Sequence, residues 1–151
     1  MRMRTSLLGA AVLLAGACSG QEEKPYTVLP PSEVRHVFPW VDGQSAKVDR
    51  GWMPEKADVD LLESHLGEIA KLKPRCCVPK IADARGFYRQ YIGIVVGGRR
   101  QIYVNAFAAD TVPKDWQSRL VVVFDGGGGC WRVAFDPATE RFSNLETNGF
   151  A

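Results

Sequence analysis

Two runs of branched and aromatic residues, 86–96 and 99–107, meet across Gly97-Gly98, and no other stretch of the chain restricts its fold as strongly. Two consecutive glycines supply the positive φ that both central positions of a two-residue hairpin turn demand. Side chains alternate along a strand, so pairing Val96 with Arg99 puts Phe87, Tyr91, Val95, Ile102, Val104 and Ala106 on one face. That face is apolar enough to be core. The opposite face carries Gln90, Ile92, Ile94, Gln101, Tyr103 and Asn105, a mixed set that suits either an open or a covered surface.

The elements around this hairpin follow from changes of period. In residues 58–72, Val59, Leu62, Leu66 and Ile69 recur at steps of three and four, which predicts one amphipathic helix. Asp58 and Asp60 suit the positive end of its dipole, Lys71 and Lys73 the negative end, and Pro74 stops it. Residues 120–124 (LVVVF) form a continuous apolar run that predicts a central strand, followed by a turn at Asp125 and four glycines. Trp131, Val133 and Phe135 alternate on a further strand, the 136–139 turn follows, and residues 141–145 return as the last strand. A short edge strand fits residues 34–41, where Pro39 bars a central position. The pattern predicts an α+β fold, with one amphipathic helix packed on an antiparallel sheet of about four to five strands.

The N-terminus has a different logic. Arg2 and Arg4 precede eleven residues, 7–17 (LLGAAVLLAGA), that carry no charge. A membrane-crossing helix needs roughly 20 apolar residues. A basic head, a short apolar body and a small-residue end instead make a secretory signal peptide. The residues Leu14-Ala15-Gly16-Ala17-Cys18 resemble the lipobox of bacterial lipoproteins, whose cysteine is loaded with diacylglycerol and becomes the new N-terminus. Ala15 stands where that motif prefers leucine, and the same residues also fit cleavage after an Ala-x-Ala triplet. The resemblance implies a cut between Ala17 and Cys18 and acylation of Cys18. With Ser19 next, it also implies an outer-membrane lipoprotein facing the periplasm. Two or more acyl chains hold a protein firmly to a bilayer. Residues 1–17 are thus expected as signal peptide, 18–33 as lipidated N-terminus and proline-bearing flexible tether, and 34–151 as a single α+β domain.

About half of the chain is loosely similar to uncharacterised small envelope lipoproteins of Gram-negative bacteria. The likeness rests on Tyr88-Arg89-Gln90-Tyr91, on residues 102–107, on Asp125-Gly126-Gly127, on Trp131 with Asp136-Pro137, and on the ending from Phe142. It implies a location and transfers no catalytic residue.

Charge narrows the partners. The chain has 19 Lys and Arg and 17 Asp and Glu, and losing Arg2 and Arg4 with a leader would balance them. That balance, with export, argues against a nucleic-acid ligand. Locally, residues 71–100 hold eight basic side chains against Asp83 alone, whereas residues 19–70 hold five basic and ten acidic ones. The basic stretch either neutralises the acidic helix beside it or faces an anionic envelope polymer or an acidic protein. Because Tyr and Arg dominate binding hot spots, Tyr88, Arg89, Tyr91, Arg99, Arg100 and Tyr103 are the candidate contact surface.

Candidate chemistry is sparse. With Cys18 acylated, Cys76, Cys77 and Cys130 remain, an odd number in an oxidising compartment. Neighbouring cysteines bridge each other with difficulty, so a disulfide from Cys76 or Cys77 to Cys130 is expected. No CxxC pair exists, and neither His36 nor His65 stands at ligand spacing, so the sequence implies no metal and no cofactor. The glycines after Asp125 lack the lysine and hydroxyl of a P-loop. A non-enzymatic, membrane-anchored lipoprotein that binds another envelope component is the reading these features favour, of inhibitor, immunity or assembly-accessory type. The alternative is a small periplasmic hydrolase or thiol enzyme, which would bring together acids such as Glu63, Asp110 and Asp125, or a thiol and a histidine.

Overall fold

The computed structural model describes residues 25–41 and 44–149. The expected signal peptide, the expected cut between Ala17 and Cys18 and the expected acylation of Cys18 lie outside the described residues.

The predicted hairpin is the centre of the molecule. Tyr88–Val96 (here β5) pairs with Arg99–Phe107 (β6) along its full length, with Val96 opposite Arg99 as expected. Gly97 and Gly98 hold φ of +56° and +76°, which side-chain-bearing residues adopt rarely. Short strands of chain-order numbers one to four precede the pair: Tyr26–Val28 (β1), Trp40–Val41 (β2), Gln44–Ser45 (β3) and Arg50–Trp52 (β4). After it come Cys130–Asp136 (β7) and Arg141–Thr147 (β8). The main sheet has six strands in the order β1-β5-β6-β7-β8, and β4 also pairs with β5. Only β1 runs parallel to its neighbour, so β1 and β4 share one edge of β5 end to end. The protein is an α+β fold on a mostly antiparallel sheet.

The helix Lys56–His65 (α1) begins where Asp58 accepts the Glu55 backbone N–H at 2.9 Å, closing the first turn. The chain tightens into 3-10 turns over Leu66–Lys71 before Pro74, yet the predicted stripe survives. Val59, Leu62, Leu66 and Ile69 are all buried against Tyr91, Ile102, Val104, Trp131, Val133 and Phe135 of the sheet. The hydrophobic side chains of one helix face and one sheet face thus make the larger core.

The other sheet face is covered too. Residues expected to be a tether run instead into β1, and Leu29 is fully buried beside Ile92, Ile94 and Tyr103. The tether is therefore corrected from residue 25 onward, because β5 offers a free edge that Tyr26–Val28 occupies. The edge strand expected at 34–41 is corrected as well. Pro31–His36 is a 3-10 turn lying over this face, and within 34–41 Trp40–Val41 alone forms a strand.

The largest correction concerns residues 120–124. They form no strand, because β6 takes β7 as its partner. They cross the second sheet face as a strap whose backbone is bonded by side chains. Gln90 Oε1 accepts the Val121 N–H at 2.8 Å, and Asn105 Nδ2 donates to the Val121 carbonyl at 2.8 Å. Glu33 accepts the Leu120 N–H at 3.0 Å, and Asn148 Nδ2 donates to the carbonyls of Val123 and Asp125 at 2.6 and 2.8 Å. Polar groups hidden from water need such partners.

Candidate functional site

At the hairpin tip, on the same sheet face as α1, a cleft of about 410 Å³ opens between Trp52, Asp58, Arg99, Arg100, Asp136 and Thr139. Each wall has a local cause. Trp52 lies opposite Gly93, where an added Cβ would run into the Trp52 carbonyl and come within 2.9 Å of its ring, so only glycine lets the indole lie against the sheet. The indole Nε1 donates to the carbonyls of Ile94 and Gln101, both at 3.1 Å, which fixes the ring plane.

Arg100 is exposed, and its guanidinium carbon sits 5.1 Å from the Trp52 ring centre, a cation–π geometry. Among the described residues no carboxylate stands within ion-pair distance of Arg100. Arg50 lies beyond Val95 in the same cross-strand row, also exposed. Arg99 is different: it donates to Asp136 at 2.5 Å. The buried Asp136 carboxylate also accepts the N–H groups of Ala138 and Thr139 at 2.9 and 3.3 Å, which shapes the β7–β8 turn. Asp58 is bound to its helix cap. The cleft therefore offers a flat ring and an arginine without an internal counter-charge.

The six candidate contact residues divide. Arg99 and Arg100 reach the cleft. Arg89, Tyr91 and Tyr103 are corrected, because all three are buried. Arg89 donates to the carbonyls of Ala84, Arg85 and Phe87, to the Tyr91 hydroxyl at 2.9 Å and to Glu63 at 3.3 Å. Tyr91 in turn donates to Glu63, and burial pushes its hydroxyl far above the ordinary range. Tyr103 is also raised by burial. Tyr88 is half-buried against Phe107 and Trp116, with ring centres 6.2 and 5.2 Å away.

The expected bridge to Cys130 is also corrected. The sulfurs of Cys76 and Cys77 lie at bonding distance from each other, while Cys130 is a free, buried thiol packed with Phe107 and Val121. A bridge between neighbours bends the peptide that joins them. Cys77 accommodates it with a left-handed backbone, φ +76°.

The groups of the enzymatic alternative stay apart in their contacts. Glu63 serves Arg89 and Tyr91 on the helix side of the sheet, and Asp110 accepts the neighbouring Thr111 hydroxyl at 3.0 Å. Asp125 ends the strap on the opposite face. Burial raises the Cys130 thiol, which keeps it protonated and a weak nucleophile at neutral pH. His65 faces Glu68 and Glu140 at 3.4 and 3.2 Å, and His36 accepts from Arg35 at 3.0 Å. Among the described residues no group of three or more His, Cys, Asp and Glu side chains is placed to hold a metal, and no helix is long and apolar enough to cross a membrane.

Comparison of the chain with protein-family models, with curated proteins and with solved structures finds no match.

Trp52 is a site residue that the sequence analysis did not single out. A signal was present: a strand glycine, Gly93, between Ile92 and Ile94, marks a place where another group approaches the backbone closely.

Proposed function

We propose that this chain is a lipoprotein of the bacterial cell envelope, acylated at Cys18 and facing the periplasm from the outer membrane. It binds an anionic envelope component, a polymer or an acidic protein, through the hairpin-tip cleft. The anchor rests on the lipobox-like Leu14–Cys18 segment alone. The observation that carries the binding reading is Arg100, held over Trp52 without a carboxylate partner among the described residues. An arginine pre-set on an aromatic ring has given up part of its rotamer freedom before a ligand arrives, which lowers the cost of binding. Arg50 adds charge beside it, and the half-buried indole offers a stacking surface. Partner capture by crosslinking in intact cells tests the reading. The Arg99→Glu, Arg100→Glu protein is expected to lose the captured partner, and recovery equal to that of the unaltered protein would remove these arginines from the function.

A further inference from the structure

On the sheet face opposite the cleft, three of the largest exposed apolar side chains gather. Phe38 is 71% exposed, Val122 54% and Phe124 88%. All three line one groove of about 300 Å³, together with Tyr103, Asn105 and Arg132. Single exposed apolar residues are ordinary, but a cluster around one groove marks a surface that meets something apolar. Slack chain does not explain it. The strap that presents Val122 and Phe124 is bonded through Gln90, Asn105, Glu33 and Asn148 on both sides of these residues.

Two further facts say what this face meets. The first is where the chain enters the fold. Thr27 pairs with Gln90 and so shares the strap face, and its hydroxyl donates to the Gln117 carbonyl at 3.3 Å, three residues before the strap. Cys18 is seven residue steps from Pro25, a reach of at most roughly 25 Å even fully extended. A domain of this size has a diameter of roughly 35 Å. A lipid on Cys18 therefore keeps the body within reach of the bilayer, and the entry strand runs along the sheet edge that borders the strap. The second is the chemistry of the rim. Arg35, His36 and Arg119 surround the adjoining recess with Leu120 and Val122, and Arg132 lines the groove. Of the acids nearby, Glu33 is turned inward to Leu120, Asp115 is 3.9 Å from Arg119, Glu146 stands across from Arg132 in the β7–β8 register, and Asp125 is exposed at the strap's end. Apolar tips ringed by arginines match the boundary between acyl chains and phosphate headgroups.

We infer that the strap face docks on the phospholipid surface, with Phe38, Val122 and Phe124 entering the headgroup–acyl boundary and the exposed Arg35 and Arg119 meeting lipid phosphates. The inference rests on the reading of Cys18 as the lipid attachment. It deepens that reading by turning the hairpin-tip cleft, on the other face of the sheet, away from the membrane.

The test uses the acylated protein purified from membranes and reconstituted in vesicles of phosphatidylethanolamine and phosphatidylglycerol at three to one. A nitroxide is attached at Phe124→Cys or, as control, at Ser64→Cys on the exposed side of α1. Both positions are exposed, so neither variant threatens folding. The expected result is a several-fold higher ratio of oxygen to nickel-chelate accessibility at position 124 than at position 64, reduced by a further Val122→Asp change. Protein that floats with vesicles but leaves position 124 as water-exposed as position 64 overturns the docking face while keeping the anchor. Protein that does not float overturns both. Shielding of position 124 that persists without lipid and grows with protein concentration assigns the face to a second copy instead, and likewise overturns the inference.

Discussion

Replacing Gln90 with leucine tests whether the strap is held by hydrogen bonds or by apolar contact alone. The Gln90 amide is fully buried, and both its ends are used. Its Nε2 donates to the carbonyls of Trp116 and Arg119, and its Oε1 accepts the Val121 N–H at 2.8 Å and the Asn105 amide at 2.9 Å. Leucine keeps the size and removes four bonds. The net value of each is about 1 kcal/mol, but a buried donor left without a partner costs about 1–3 kcal/mol. The Trp116 and Arg119 carbonyls lie near solvent and can turn to water. Val121 N–H and the Asn105 amide are buried and cannot. Setting two orphaned buried donors against two rescued carbonyls and a modest apolar gain gives a loss of about 3 kcal/mol. For a domain near 125 residues that is a fall in Tm on the order of 10 °C. Thermal and urea denaturation read the total, and amide exchange of Val121 reads the site. Exchange there should quicken by on the order of 100-fold. A loss below about 0.5 kcal/mol, with unchanged exchange at Val121, would mean that Leu120 and Val121 hold the strap by burial and that the polar bonds are incidental.

Gly93→Ala should cost about 3 kcal/mol or more, because its Cβ meets the Trp52 backbone rather than a movable side-chain end, and the fluorescence of Trp52 should change with it. The Cys130 thiol should resist a thiol reagent at pH 8 in the native state and react once denaturant is added; prompt native reaction would contradict its burial. Glu146 is raised above the ordinary carboxylate range by burial, against the pull of Arg132 and Arg75. A raised group favours the fold while protonated, so its contribution is present below pH 4.5 and lost as pH rises through the folded-state value. Glu146→Gln should therefore raise the Tm at pH 7 relative to the unaltered protein, and that advantage should vanish by about pH 4.

What could be read from the chain, and what could not, separates by range. The hairpin register followed from two glycines and strict alternation, both local. The stripe of α1 followed from four apolar residues, although its last turn is wound more tightly than the period suggested. Residues 120–124 misled because a run of valines has strand propensity, whereas their conformation is decided by Gln90, Asn105, Glu33 and Asn148, residues distant in sequence. The polar members of the β5 and β6 second face were the trace of that strap, visible but unassigned. Residues 26–33 read as tether because proline and polar composition outweighed a three-residue strand supported by residues distant in sequence, the edge of β5 and the core beneath it. At the cleft, Arg99 and Arg100 were legible as charge beside a turn. Arg89, Tyr91 and Tyr103 were not distinguishable from them, since burial of a tyrosine or arginine depends on what the rest of the chain lays over it.

Envelope attachment at Cys18 underlies both the partner proposed for the cleft and the surface proposed for the strap. Mass spectrometry of the N-terminal peptide from protein expressed in a Gram-negative host tests it directly. The account predicts a chain beginning at Cys18 and carrying diacylglycerol on its sulfur. A chain that begins at Cys18 with an unmodified thiol, or that still carries residues 1–17, would contradict it.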